Sequence, residues 1–332
     1  MNKPLVSVVV IGRNEGQRLM ACLKSVKEAV DPGGEIELIY VDSNSHDGSP
    51  ELAESFCSKV IRVQPLRPCA AFGRNAGWRA ATAPNILFLD GDTLLHPAFL
   101  RKALRAIDDP SVAIVWGHRR EAYPEHSFYN RILDLDWIYP PGITEFCGGD
   151  ALMRRSVLEQ VGGFSEDLIA GEEPELCQRI RSKGYVVLHI DEPMTHHDLA
   201  MTHFNAYWKR ALRAGHAYAE VSQRMKATDF PLWVRECKRN AVHAVVLMVL
   251  FLSATALSIM TGAVLPYYGL ALAYLFLILR SAYKARWKSA SVFTLILYGL
   301  HSHFQQLPIA CGQVSYWYHR FRNQQQRLIE YK

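Results

Sequence analysis

Two aspartates one residue apart, Asp90 and Asp92, directly follow the apolar run ILFL at residues 86–89. Carboxylate oxygens are the donors that a hard divalent cation such as Mg2+ or Mn2+ prefers, and such a cation keeps open positions for phosphate oxygens. At the end of a buried strand, the pair can hold a cation against a nucleotide diphosphate, whose negative charges need neutralising. One aspartate would take the metal, and the other the metal or a ribose. The bland alternative is an acidic turn, since Asp-x-Asp is common by chance. The position after a strand decides against it.

Other polar clusters follow other apolar runs. Arg13-Asn14-Glu15 follows residues 5–11 (LVSVVVI), and Asp42 opens the run DSNSHDG after residues 35–41 (EIELIYV). A strand-end carboxylate such as Asp42 can accept an N–H from a pyrimidine or guanine edge. It can equally close an Asx turn, the better reading for Asp47 beside Gly48. Gly148, Gly149 and Asp150 fit the lining of a sugar or acceptor pocket, because glycine permits close backbone approach. Trp208, Lys209, Arg210 and Arg213 share a helix leading to an apolar region. They could bind a lipid headgroup phosphate or anchor an interface.

The elements that must position these groups alternate. Residues 5–11, 35–41, 60–63, 86–89 and 112–116 read as strands. Leu19, Cys22, Leu23 and Val26 keep helical spacing within residues 15–30, and residues 70–83 form another helix. Near-continuous apolar strands alternating with helices predict an α/β fold with a mostly parallel sheet covered on both faces. Ligands of such sheets sit at the carboxyl ends of the strands, where all three polar clusters fall.

The C-terminal part is different. Residues 241–279 and 289–318 contain no Asp, Glu, Lys or Arg. Residues 242–262 are long enough to cross a bilayer, and residues 264–279 can return, turning at Gly262 and Pro266. His301, His303, Gln305, Gln306 and Pro308 interrupt the third apolar stretch, which therefore reads as interfacial or re-entrant, its histidines as polar groups rather than metal ligands. Basic residues flank these segments: Arg235, Lys238 and Arg239, then Arg280, Lys284, Arg286 and Lys288, then Arg320, Arg322 and Arg327. The positive-inside rule places those flanks in the cytoplasm, against anionic lipid. The expected organisation is a domain over residues 1–225, an amphipathic linker over 226–240, a transmembrane hairpin over 241–280, and a basic loop, third apolar helix and basic tail over 281–332. Seven scattered cysteines without a CxxC pair fit buried thiols in a reducing compartment. A net charge of +5 does not suggest a nucleic-acid binder.

The ordered runs VSVVVIGRNEG, VDSNSHDGS, FGRNAGWRAA and LFLDGDT, followed by GGDALMRRSVLEQVGGFSEDLIAGEEPELCQRIRSKGY, resemble the family 2 glycosyltransferases of GT-A fold over roughly residues 4–215. The resemblance implies inverting transfer from a UDP-, GDP- or similar sugar, with Mn2+ or Mg2+ as cofactor. By position, Glu15 and Asp42 match the residues that hold the base, and Arg74 and Asn75 those that border the diphosphate. Asp90 and Asp92 match the metal motif. Glu172 and Glu173 match a Glu-Asp pair whose second member is the usual catalytic base, which favours Glu173. His196 matches a region where a histidine approaches the metal or diphosphate. Gly12 replaces the family's usual proline, which would loosen that loop. The Gln-x-x-Arg-Trp motif of processive members has no match in Tyr207-Trp208-Lys209-Arg210, so single addition is expected. The acceptor expected beside a membrane anchor is lipid-linked or membrane-bound, with the catalytic domain on the cytoplasmic side of an inner or plasma membrane.

Competing classes fit less well. No G-x-G-x-x-G follows the first strand, against a dinucleotide-dependent oxidoreductase. The glycine-rich phosphate loop of a nucleotidyltransferase is missing, and the apolar segments are too few for a transporter. The alternative from another class is a catalytically inactive membrane scaffold of the same fold.

Overall fold

The computed structural model describes residues 3–29 and 33–324; Arg327, counted above in the basic tail, lies outside them. Among the described residues, nine strands form one sheet: β1 (Val6–Gly12), β2 (Ile36–Asp42), β3 (Lys59–Arg62), β4 (Asn85–Asp90), β5 (Thr93–Leu95), β6 (Val112–Glu121), β7 (Gly142–Thr144), β8 (Ala151–Arg154) and β9 (Val186–His197). Their order is β3-β2-β1-β4-β8-β6-β9-β5, with β7 also paired to β9. Val6, Val8, Val9 and Val10 of β1 are all fully buried, as a strand covered on both faces requires. Each such valine contributes about 1.5–3 kcal/mol relative to an exposed one. The helix Gln17–Lys27 buries Leu19, Cys22, Leu23 and Val26, the expected stripe.

Pairings β3–β2–β1–β4 are parallel, as anticipated, and so is β6–β9, although the sequence reading named no strand at β9. Strand β8 departs from that pattern: it runs antiparallel between β4 and β6. It is four residues long and is reached from β6 through the short helix Phe128–Asp134 and strand β7, and an antiparallel neighbour needs no crossover back along the sheet. Its reversal has a consequence for the site. Phe88 pairs with Ala151, so the chain entering β8 through Gly148, Gly149 and Asp150 comes in at the carboxyl end of β4. Registers Gly12↔Asp42 and Ile11↔Asp90 set the ends of β1, β2 and β4 level on that rim. Gly12 does not leave the ladder loose, because its carbonyl accepts Ser43 N–H at 2.9 Å.

The chain divides into two compact units: residues 1–123, 137–200 and 225–232 in the first, and 124–136, 201–224 and 233–332 in the second. The helix Phe204–Met225, placed by the sequence at the end of the first domain, clusters with the second unit. There, a Cβ on Gly312 would overlap the Leu212 carbonyl oxygen, so this helix and Gln306–Phe321 cross backbone to backbone. Helices Val234–Thr261 and Leu265–Lys284 have the length and hydropathy to cross a membrane. Beyond its charged first turns, the former keeps residues 240–261, about 33 Å of helix against a hydrocarbon core of about 30 Å. The third apolar stretch forms two helices, Val292–Phe304 and Gln306–Phe321, parting at Gln305. Pro308 explains the break, because it has no N–H for a bond to the preceding turn. His301 and His303 are buried within this unit. His301 contacts Tyr207 Oη (2.8 Å) and Asp136 Oδ2 (3.3 Å), while His303 meets His243 Nε2 (3.1 Å) and Ser281 Oγ (2.9 Å).

Candidate active site

The rim of the first unit gathers four carboxylates, Asp90, Asp150, Glu172 and Glu173, around Arg74. Arg74 projects from the helix Ala70–Ala80 and is 2% exposed. Its Nη2 donates to Asp90 Oδ1 at 2.9 Å, and its Nη1 lies 3.0 Å from both Glu172 Oε1 and Glu173 Oε1. Burial works against the charge, but Glu173, Asp90, Glu172 and Asp150 outweigh it and hold the guanidinium protonated. Asp150 accepts the backbone N–H of Asp90 at 3.0 Å and the Thr195 hydroxyl at 2.8 Å. A Cβ on Gly149 would run into Arg74 Nη2 and stand 3.0 Å from Asp90 Oδ2, so this position must be glycine for the cluster to close.

The two glutamates differ. Both open the helix Glu172–Arg181, whose N-terminus favours negative charge. Glu172 is buried, while the side chain of Glu173 keeps 15% exposure. Burial and the neighbouring Glu172 carboxylate raise Glu173 to about 7, against the pull of Arg74. Glu173 is thus the accessible carboxylate that can exchange a proton near neutral pH.

Asp90, Asp92 and His197 each offer a ligand atom, all within 4.8 Å of one another. His197 Nε2 is 3.3 Å from Asp92 Oδ1, and its Nδ1 has no hydrogen-bond partner among the described residues. Burial first, and the Arg119 guanidinium second, lower His197 to about 3, leaving a neutral imidazole with a lone pair to give. Two carboxylates and an imidazole fit Mn2+ well, since Mg2+ takes oxygen donors more strictly.

The sequence reading chose His196, whereas the cluster with Asp90 and Asp92 contains His197. His196 is exposed and His197 buried. Successive strand residues point to opposite faces, and β9 turns only one of the pair toward Asp92. Asn75, expected beside the diphosphate, is hydrogen-bonded within the fold. Its amide N–H groups donate to Phe164 O and Glu166 Oε1 at 2.8 and 2.7 Å, and its oxygen accepts from Trp78 Nε1 and Phe164 N at 2.9 Å each. All four of its bonds are spent on the fold. One step around the helix from Arg74, it pins the 163–166 loop instead of facing a ligand.

Asp42 is buried at the end of β2, where it accepts from Tyr40 Oη and Ser45 N at 2.9 Å each. These bonds use half of a carboxylate's roughly four acceptor sites. Glu15 lies beside Gly91 and pairs with Arg18 at 2.7 Å. Trp208, Arg210 and Arg213 belong to the second unit. Trp208 packs by Phe204 and Phe304, with ring centroids 5.8 and 6.2 Å away. Arg210 helps hold Asp136 below the usual carboxylate range: burial opposes this, but His301, Arg210 and Tyr298 prevail.

Three residues of the rim carried no sequence signal that was read. Arg119 sits 3.6 Å from both Asp90 Oδ2 and Asp150 Oδ2. Its guanidinium lies over Trp137 at 4.8 Å, and Trp137 meets the His197 ring edge-on at 5.1 Å. Thr195, paired with Arg119 in the β6–β9 register, could have been found with His197 by strand alternation.

Comparison with known families matches residues 7–162 to the profile described as Glycosyl transferase family 2, and residues 85–302, more than half of the chain, to Glycosyl transferase family group 2. Glycosyltransferase AglE of Haloferax volcanii is 26% identical over 233 residues, 66% of this chain and 74% of that protein. Probable glycosyltransferase YdaM of Bacillus subtilis is 24% identical, over 69% of this chain but 59% of its own length. Validoxylamine A glucosyltransferase of Streptomyces hygroscopicus is 25% identical, over 54% of this chain and 49% of that one. Mannosyltransferase PcManGT from Pyrobaculum calidifontis, solved with GDP-Man and Mn2+, shares the fold, with a TM-score of 0.69 at 21% identity over 96% of this chain and 88% of that one.

Proposed function

The chain belongs to glycosyl transferase family 2 and is a glycosyltransferase, and on that premise we propose that it moves a sugar from a nucleotide-diphosphate donor to a lipid-linked or membrane-bound acceptor, with inversion and with the help of a divalent cation. The observation that carries this reading is the convergence of Asp90, Asp92 and His197 with the Arg74–Glu172–Glu173 cluster on one rim.

Asp90, Asp92 and His197 would hold the cation, Mn2+ before Mg2+, and a cation there neutralises charge on the diphosphate. The chain's own groups do the rest. Glu173 takes the proton of the acceptor hydroxyl as its oxygen bonds to the anomeric carbon. The bond from that carbon to the departing phosphate oxygen breaks in the same displacement. Arg74 stabilises the charge that collects on the leaving group. Asp42 and Glu15 hold the base end of the donor, and Gly149 and Asp150 border the sugar. No covalent intermediate forms, so no nucleophilic side chain is needed.

The acceptor assignment rests on the two apolar helices, whose basic flanks favour a cytoplasmic first unit at an inner or plasma membrane. Trp208, Arg210 and Arg213 are the proposed headgroup contacts. Mannosyltransferase PcManGT was solved with GDP-Man and Mn2+, which makes GDP-mannose the first donor to try. Isothermal titration of the full chain with UDP- and GDP-sugars, with and without Mn2+, tests the donor class. Binding that needs the cation supports the reading; no binding of any donor under either condition refutes it.

A further inference from the structure

We propose that Trp137 is a positioning residue of the cation site, fixing the His197 ring and the Arg119 guanidinium. The inference rests on the reading that Asp90, Asp92 and His197 hold a divalent cation. A metal-ligating histidine is ordinarily oriented by a hydrogen bond from its second ring nitrogen to a carboxylate or carbonyl. His197 Nδ1 has no such partner among the described residues. The backbone of His197 is held by pairing with Thr93 and Glu121, and its Nε2 lies 3.3 Å from Asp92 Oδ1, but neither contact holds the Nδ1 side of the ring. What the ring meets is Trp137, edge-on, with centroids 5.1 Å apart and planes at 71°.

Arg119 is in the same position. Its contacts to Asp90 Oδ2 and Asp150 Oδ2 are both 3.6 Å, too long for hydrogen bonds, and its buried Nε has no partner. Its placement comes from lying over Trp137 at 4.8 Å. One indole thus lies against both the His197 ring and the Arg119 guanidinium, whose Nδ1 and Nε have no hydrogen-bond partner among the described residues.

The test is Mn2+ titration of the full chain, following the electron paramagnetic resonance signal of the free ion. Trp137→Leu keeps apolar bulk and removes the ring, Trp137→Phe keeps a ring, and Asp92→Asn is the control. The Leu variant should bind Mn2+ about tenfold to a hundredfold more weakly, and the Phe variant within about threefold of wild type. Wild-type affinity in the Leu variant, with binding lost in Asp92→Asn, overturns the role of Trp137. So does equal weakening by Leu and Phe, because the ring would then not matter. Binding that survives Asp92→Asn unweakened overturns the cation site itself, and the inference with it.

Discussion

Replacing Glu173 by Gln removes one ionisable oxygen from a buried cluster and keeps its shape. Glu173 titrates at about 7 in the folded chain. If it is the base, the activity of the free enzyme follows its ionised fraction, roughly 9% at pH 6 and 91% at pH 8. Wild-type kcat/KM should therefore climb about tenfold between those values, with its midpoint near neutrality. Glu173→Gln should lower kcat by about 10²–10⁴ with little change in donor KM, the usual loss of a general base. The raised value also has a stability signature. A carboxyl that moves from 4.5 unfolded to about 7 folded holds its proton more tightly in the native state. Its contribution is complete below 4.5 and is lost as pH rises through 7. Those 2.5 units correspond to about 3 kcal/mol. The melting temperature of the variant, set against wild type, should thus improve from pH 5 to pH 8. Glu172→Gln removes a like charge and should shift the activity midpoint to lower pH. A Glu173→Gln enzyme within threefold of wild-type kcat would refute the assignment, as would a wild-type midpoint near 4.5.

The neighbouring histidines give a paired contrast. His197→Ala should weaken Mn2+ binding by at least about tenfold, as loss of a ligand must, while His196→Ala leaves it unchanged; calorimetry that finds the two alike would reject the strand-face argument. Asn75→Ala strands the Phe164 backbone and the Trp78 indole N–H, both buried, and should cost about 1–3 kcal/mol of stability. Donor KM should stay near wild type in that variant, and a large rise in KM with unchanged melting would restore Asn75 to the donor site.

Much of the site could be read from the chain because strand ends are local features. Asp42 and Asp90 follow apolar runs, and parallel register lifts both to one rim without further information. The stripe Leu19, Cys22, Leu23 and Val26 likewise needs only helical period. What escaped depends on partners distant in sequence. The choice between His196 and His197 turns on the face β9 presents to β5 and β6, set by pairings to residues 93–95 and 112–121. Asn75 looks like a ligand contact beside Arg74 until the 163–166 loop closes on it. Trp137 lies in a short turn with no periodicity, and only the folded chain brings it to His197. The helix Phe204–Met225 carries Gly215, whose purpose appears once the Gln306–Phe321 helix crosses it at Ile309.

The reversed strand β8 also bears on how the chain is made. A nascent chain finishes β4 at residue 90 but must extend to residue 154 before the strand that covers its edge exists. At about 5–20 residues per second, that is roughly 3–13 s of synthesis. Throughout it, the run NILFLD presents an unpaired, strongly apolar edge next to β1. Such an edge is a template for pairing with another chain. The segment that carries Asp90 is therefore also one where a ribosome-bound chain is open to edge pairing and where a chaperone would have an edge to cover.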